Sequence, residues 1–207
     1  MSTDMSSVDY PSGFSIWGEC IRQSMYAVET EPVINVYHGD MVIGGGAMLQ
    51  TAHGAMTIIV DDAVPDGVAA TEQVLGVVTA VFDKDMNPVK YIAATEAGDS
   101  TVAGYIMVAD DPHQRYIIQE DGTTAAIDLA DAGMTVDVVS VALCAGTAAS
   151  GISTQEIASD TVDNTAAHDL LLHFPHPDDT VANDTNCHAR WIVSINTSFY
   201  GTFHDGN

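Results

Sequence analysis

Residues 190–200, with the sequence RWIVSINTSFY, carry the clearest structural pattern in the chain. In an extended strand, one face of this stretch would hold the alternate residues Trp191, Val193, Ile195, Thr197 and Phe199. The opposite face would hold Ile192, Ser194, Asn196, Ser198 and Tyr200. A period of two, with β-branched and aromatic residues on the apolar face, predicts a half-buried β-strand.

Similar strand patterns recur through most of the chain. Residues 74–82 and 134–143 predict two further long strands. Shorter strands are predicted at 33–37, 41–43, 56–60, 91–93, 104–109, 116–119 and 170–174. Turns rich in Gly, Pro and Asp are predicted between them, at 38–40, 83–88, 110–112 and 120–122.

Only residues 123–132 indicate a helix, with Gly133 as its end. Many strands joined by short turns predict an all-β fold, either an antiparallel β-barrel or a β-tulip or sandwich, with at most one short helix. Glycines 44–46 follow an apolar stretch but precede a strand, so they indicate a bulge or tight turn between strands.

The chain divides into two parts by pattern. Residues 1–32 show no sustained period and predict an extended N-terminal arm, whereas 33–207 predict one β-rich body with a small-residue loop at 146–167. The arm nevertheless contains the larger apolar residues Tyr10, Phe14, Ile16, Trp17, Ile21 and Tyr26. These are too many for a solvated tail, so we expect a partner subunit or a larger shell to cover them.

The charge balance excludes several classes of partner. Five Lys and Arg face 29 Asp and Glu, which gives a formal net charge of −24. Such a chain is repelled by nucleic-acid phosphates and by anionic lipid, so neither is an expected partner. The excess of acid over Lys is typical of a protein from a salt-loving host, because molar salt screens the repulsion. An ordinary acidic surface protein is the alternative.

The cysteines and apolar stretches indicate where the protein is made. Cys20, Cys144 and Cys187 are an odd, sparse set that suits neither a disulfide framework nor a zinc knuckle. The N-terminus lacks the pattern of a signal peptide, and the longest apolar region, 136–149, is too short to span a bilayer. We therefore expect synthesis in a reducing cytoplasm.

Histidines and acids near the C-terminus are the candidates for a metal site. His173, His176, Asp178 and Asp179 lie in HFPHPDD, and His168, His188 and His204 lie nearby. The two prolines prevent the helical spacing of an HExxH motif. The stretch instead predicts a strand end followed by an acidic turn, and we expect neither a dedicated metal nor a cofactor.

No nucleophilic motif is present in the sequence. A GxSxG elbow is absent, and Cys187 and His188 are neighbours that would point to opposite faces of a strand. The sequence therefore predicts no catalytic residues.

Two regions resemble structural proteins of tailed viruses. In that group an "LGVF.GV" strand precedes a "DDP…FE(V)Q.DG" hairpin; here LGVVTAVF, KYIAA and AGYIMVADDPHQRYIIQEDG follow in the same order within 74–122. HDLLLHFPHPDDTVANDTNCHARWIVSINTSFYG is similar to the group's ending, "L.I.GL.P.PDN" and "V.I..H.F". The similarity covers 74–203 and, more weakly, 33–60. The chain departs from the group at 116–119, where YIIQ replaces the usual Phe-Glu before Gln.

The resemblance implies a capsid decoration (cement) protein with a β-barrel or β-tulip body and no chemistry of its own. Such proteins commonly form trimers on the outer surface of the major capsid protein shell, with an N-terminal arm that reaches a neighbour. The expected partners are thus the major capsid protein and further copies of the chain.

Three alternatives remain at the level of sequence. The first is a tail or spike component of the virion, including a receptor-binding knob. The second, of another class, is a small metal-dependent cupin-like enzyme that uses His173 and His176. The third is a secreted lectin-like module, which the missing signal peptide disfavours.

Overall fold

The computed structural model describes residues 9–29, 35–50, 56–63, 74–93, 102–122, 127–140, 149–164, 168–179, 188–198 and 200–202. The first eight strands are β1 (Ser15–Trp17), β2 (Gln23–Glu29), β3 (Val36–Tyr37), β4 (Met41–Gln50), β5 (Met56–Ala63), β6 (Val74–Asp83), β7 (Tyr91–Ile92) and β8 (Val102–Ala109). The remainder are β9 (Arg115–Gln119), β10 (Thr135–Val136), β11 (Val138–Ser140), β12 (Gln155–Ile157), β13 (Leu170–Pro175), β14 (Arg190–Ile195), β15 (Thr197–Ser198) and β16 (Gly201–Thr202). The prediction of an all-β fold is confirmed.

Helical structure in these residues is limited to two 3₁₀ turns, Leu129–Asp131 and Ser159–Thr161. The first lies inside the predicted helix at 123–132, of which residues 123–126 fall outside the described part. No helix among the described residues has the length and hydrophobicity that crossing a membrane requires.

Two antiparallel sheets form the body. The five-stranded sheet has the order β1-β9-β14-β13-β10. The seven-stranded sheet has the order β16-β15-β6-β4-β5, and β8 pairs with β6 and carries β2 on its other side. Strands β3 and β7 form one further pair, and β11 and β12 another. The sheets do not close into a barrel, so the sandwich is the predicted form that fits.

Two hydrophobic clusters lie on the two faces of strand β6. Val74 and Val77 point into the larger cluster, which the five-stranded sheet also supplies with Tyr116, Trp191 and Val193. The second cluster is built from Tyr26, Val28, Val36, Val42, Leu75, Val78, Val81, Ile92, Ile106 and Val108. Because both faces of β6 are buried, its sequence is almost continuously apolar.

The stretch 190–200 behaves as predicted in its first half. Trp191, Val193 and Ile195 are buried in the larger cluster. The strand ends at Ile195, and the backbone N–H of the next residue, Asn196, donates to the carbonyl of Asp169 at 2.7 Å. Strand β15 then pairs in parallel with β6, so the chain passes here from one sheet to the other. Phe199 lies outside the described residues.

Glycines set two irregular points in the seven-stranded sheet. The β4–β5 register shifts between Val42 and Gly44 and again between Gly44 and Met48, which confirms the predicted bulge. At Gly76 in β6, a Cβ atom would lie 2.1 Å from the carbonyl oxygen of Ala109. Only glycine therefore allows β6 to approach the end of β8 this closely.

The prediction of an extended arm is wrong for residues 9–29, which we call the N-terminal segment. Strand β1 pairs with β9, and β2 pairs with β8 over its whole length. The segment therefore packs on sheets of its own chain. The pattern missed these strands because β1 has only three residues and β2 buries the consecutive residues Tyr26, Ala27 and Val28 instead of alternating.

The predicted loop at 146–167 also contains regular structure. Strand β12 pairs with β11 within it, and Gln155 is fully buried. The Gln155 side chain accepts from the Met41 N–H at 2.6 Å and so ties this region to β4. This region is rich in small polar residues, and its strand is held by backbone hydrogen bonds. A hydrophobic period therefore does not predict it. Residues 141–148 and 165–167 lie outside the described part.

Candidate functional site

The structure separates the six apolar residues of the predicted arm into an inner and an outer set. Phe14 belongs to the larger hydrophobic cluster and Tyr26 to the second. Ile16 is partly buried against the larger cluster. Trp17 is partly buried, and Tyr10 and Ile21 are exposed. Phe14 and Tyr26 therefore stabilise the fold and are not available to a partner.

A buried carboxylate fixes the N-terminal segment to the turn that follows β8. The Arg22 Nε–H donates to Asp110 Oδ1 at 2.8 Å, and the Arg22 Nη2 group donates to the Asp110 carbonyl at 2.6 Å. The Tyr26 hydroxyl also donates to the Asp110 carboxylate, and it lies 2.9 Å from the Tyr200 hydroxyl. Burial and these hydrogen bonds raise the pKa of Tyr26. The Arg22 guanidinium lies over the Tyr200 ring.

Gln114 provides a second attachment in the same turn. Its Oε1 accepts from the Ile21 N–H at 2.9 Å, and its Nε2 group donates to the Trp17 carbonyl at 3.4 Å. Asp110 and Gln114 both belong to the DDPHQ part of the sequence that resembles virion proteins. In this chain, that turn therefore holds the N-terminal segment on the body.

Several exposed or partly exposed apolar side chains lie in the segment or next to its residues. The Trp17 ring makes an edge contact with Phe174, and the Arg22 guanidinium, next to the exposed Ile21 in sequence, lies over the Tyr200 ring. Ile21 is 56 % exposed, Tyr200 44 % and Phe174 37 %. We call Trp17, Ile21, Phe174 and Tyr200 the apolar strip. Large apolar side chains left in water on an anionic surface are typical of a contact with another macromolecule.

The four candidate metal ligands do not converge on one point. Asp179 accepts from the Arg190 Nε–H at 2.9 Å and from the Arg190 Nη2 group at 2.8 Å. Although burial acts in the opposite direction, these bonds hold the pKa of Asp179 below its ordinary value. The His176 ring packs edge-on against Trp17, and Asp178 is exposed.

His173 forms a pair with Ser194 instead of binding a shared metal position. Its Nε2 lies 2.9 Å from the Ser194 Oγ, on the neighbouring strand. Burial, followed by the nearby charge of Arg115, lowers the pKa of His173. The described residues provide no carboxylate partner for the other ring nitrogen, which a serine–histidine–acid triad needs.

A different set of residues does come together. Ligand atoms of Asp9, Glu156 and His188 all lie within 4.8 Å of one another. We call these residues the carboxylate–imidazole cluster. Asp9 is exposed in the N-terminal segment, Glu156 is in β12, and the partly buried His188 precedes β14. Among the described residues, this is the one group of three or more potential ligands at such distances.

Glu156 is the buried member of the cluster. It is 3 % exposed, and its Oε1 atom has no hydrogen-bond partner. Burial, with the negative charges of Asp9 and Asp121, raises the pKa of Glu156 to about 8. A carboxylate in these surroundings lacks the compensating positive charge or donors that buried acids normally have.

Hydrogen bonds to the backbone define the position of His188. Its Nδ1 lies 3.4 Å from the carbonyl of Glu120. The fully buried Glu120 carboxylate in turn accepts from the N–H groups of Ala189 and Ile127, at 3.1 and 2.9 Å. A cleft of about 180 Å³, lined in part by Tyr10 and Gln119, opens beside His188.

No pattern in the sequence groups these three residues. Asp9, Glu156 and His188 are distant in the chain, and no short spacing motif joins them. His188 was noted only among the histidines near the C-terminus. The cluster exists because the N-terminal segment folds back beside β12, which is the same feature that the arm prediction missed.

Comparison with known proteins adds no relatives: no protein-family model, curated protein or solved structure matches the chain.

Proposed function

We propose that this protein is a capsid decoration protein of a tailed virus with a salt-loving, archaeal host. In this proposal, it binds the outer surface of the major capsid protein shell as an oligomer, most simply a trimer, after synthesis in the host cytoplasm. The proposal rests on the resemblance of residues 74–122 and 168–203 to virion structural proteins. Neither nucleic acid nor membrane is an expected partner, given the net charge of −24.

The apolar strip is the structural observation that carries the proposal. Decoration proteins act by burying surface at subunit junctions, which holds the shell closed against internal pressure. The strip offers aromatic and aliphatic groups for such burial, at about 25 cal/mol for each Å² of apolar surface removed from water. In this proposal, Trp17 and Ile21 of the N-terminal segment contact the shell together with Phe174 and Tyr200, while the inner side of the segment belongs to the fold.

Particle composition tests the proposal directly. We expect mass spectrometry of purified virus particles to find this chain in a fixed, high ratio to the major capsid protein. A tail or spike component would instead be present in only a few copies, as rings or trimers. Absence of the chain from intact particles would contradict every virion role.

A matched pair of variants tests the surface. Phe174→Asp places a charge in the apolar strip and should reduce occupancy on shells that lack the protein by at least tenfold. Val89→Asp is the control, because Val89 is 38 % exposed and lies in a different cleft, with His38 and Ile152. Equal occupancy for the two variants would show that the strip is not the contact surface.

A salt-loving host predicts that the stability of the protein depends on the salt concentration. With so few cations to offset the acids, self-repulsion should weaken the fold in dilute buffer. Raising NaCl from about 0.1 M to 2 M shortens the screening length from roughly 10 Å to below 3 Å. We expect the melting temperature to rise over this range; a constant or falling value would contradict a salt-loving host.

A further inference from the structure

We infer that Asp9, Glu156 and His188 bind one divalent transition-metal ion, of the type of Zn²⁺, which joins the N-terminal segment to the body. The inference is independent of the proposed capsid role. It rests first on geometry, since potential ligand atoms from three distant parts of the chain lie within 4.8 Å of one another. Small rotations of the exposed Asp9 side chain would bring them onto one ion.

The second observation is the state of Glu156. Its side chain is almost entirely buried, and Oε1 finds no donor in the described structure. Burying a carboxyl oxygen without a partner is costly, and Asp9 adds a second negative group beside it. A cation at this point supplies the missing partner for both carboxylates.

The orientation of His188 suits a ligand. The Glu120 carbonyl, which can only accept, lies 3.4 Å from Nδ1, so the tautomer with its proton on Nδ1 satisfies this contact. Nε2 then keeps its lone pair and is the nitrogen available to an ion. A histidine whose other nitrogen donates to a backbone carbonyl is the usual arrangement around protein-bound metals.

The donor set selects the kind of metal. Zn²⁺ binds imidazole nitrogen and carboxylate oxygen readily and commonly takes three protein ligands with a water molecule in the fourth position. Ca²⁺ and Mg²⁺ prefer oxygen ligands throughout. The single imidazole therefore favours a transition metal.

Calorimetric titration of the metal-stripped protein with ZnCl₂ tests the inference. The full chain should bind one ion with a micromolar or lower Kd, and a hundredfold excess over Kd should raise the melting temperature by about 5–10 °C. Asp9→Asn should weaken binding at least tenfold, and Glu156→Gln should abolish the site. Asp160→Asn, an exposed acid close to Glu156 in sequence, removes the same charge and should change Kd less than twofold.

Because Asp9 is exposed, its variant keeps the fold and the test stays decisive. The inference is overturned if the wild-type chain shows no saturable Zn²⁺ site. It is also overturned if Asp9→Asn and Glu156→Gln both bind as tightly as wild type, because the ion then sits elsewhere. Equal affinity for Mg²⁺ and Zn²⁺ would exclude the transition-metal assignment.

Discussion

The N-terminal segment and strand β14 play similar structural parts but differ in how their sequences show it. Both contribute fully buried aromatic residues to the larger cluster, Phe14 from the segment and Trp191 from the strand. Strand β14 pairs on both sides, with β9 and β13, whereas β1 and β2 pair with β9 and β8. Only β14 shows a clear alternation in sequence. The difference shows that a segment can be an integral part of a fold although its sequence has no local hydrophobic period.

The physical reason lies in what holds each region. Strand β14 is held mainly by its own apolar face, which period-two patterning reports. The segment is held both by buried side chains such as Phe14 and Val28, which follow no period, and by single contacts with distant groups. Asp110 bonds Arg22, Gln114 bonds the backbone at Ile21, and the Gly39 carbonyl accepts from the Phe14 N–H at 2.9 Å. Such contacts depend on the finished fold.

The segment is either an integral part of the fold or an arm that orders only on a partner. Of the substitutions that distinguish these interpretations, Phe14→Ala should change the stability of the isolated protein most. If the segment is part of the fold, the substitution leaves a core cavity and lowers the free energy of unfolding by about 3–5 kcal/mol. Trp191→Ala in β14 should cost a similar amount for the same reason. Urea denaturation of the isolated protein measures both.

Tyr10→Ala is the control within the segment, since Tyr10 is largely exposed. It should change stability by no more than about 0.5 kcal/mol. An arm that orders only on a partner would leave Phe14→Ala as silent as Tyr10→Ala, and that result would contradict the structure.

The sequence was sufficient for the fold class and insufficient for the site. Each predicted strand coincides with at least one strand among the described residues, because alternation and turn residues are local properties. The predicted strand at 134–143 is wrong as a single element, since it is divided into β10 and β11, which pair with β13 and β12. Strands β1, β2, β12 and β16 were not predicted, because they are short or, like β2 with its consecutive buried residues Tyr26, Ala27 and Val28, show no alternation. The carboxylate–imidazole cluster could not be predicted for the same reason. Two of its three members, Asp9 and Glu156, lie in regions for which the sequence predicts an arm and a loop.

The pH dependence of stability tests whether the N-terminal segment covers the turn that contains Asp40, next to Phe14. Asp40 is fully buried there, and its Oδ2 accepts from the Tyr37 N–H at 2.7 Å. Burial raises the pKa of Asp40 to about 7, against the opposing effects of Ser153 and the Tyr37 N–H. The folded state therefore holds a proton that the unfolded state has released at the same pH.

The sign of the effect follows from that difference. The contribution of Asp40 to stability is complete below about pH 4 and is lost as the pH rises to about 7. Asp40→Asn removes this loss, so its free energy of unfolding relative to wild type should rise by about 2–4 kcal/mol between pH 4 and pH 8. Chemical denaturation at both values measures the change. A difference independent of pH would show that Asp40 is not buried beneath the segment.

Two ion pairs of the same type, one in the segment and one at β14, allow a direct comparison in which smaller effects on stability are expected. Arg22 bonds Asp110 for the segment, and Arg190 bonds Asp179 at the start of β14. Each carboxylate is almost completely buried and each guanidinium is partly exposed. Arg22→Met and Arg190→Met keep the aliphatic stems but leave the carboxylates short of donors. Because water screens the exposed sides, we expect about 1–2 kcal/mol of destabilisation from each.

Double-mutant cycles with Asp110→Asn and Asp179→Asn isolate the two pair energies. Similar coupling energies would show that the segment is anchored as firmly as β14. A clear coupling for Arg190 and Asp179 with none for Arg22 and Asp110 would mean that the segment detaches in solution.

Hydrogen exchange of the isolated, partner-free protein tests the central claim most directly. The structure pairs β2 with β8 from Gln23 to Glu29, so its hydrogen-bonded amides should exchange as slowly as those of β14. Peptides covering 23–29 and 190–195 should therefore both retain slowly exchanging amides in the same mass-spectrometric experiment. If 23–29 exchanges as fast as an unstructured peptide while 190–195 stays protected, the segment is an arm and the account is wrong.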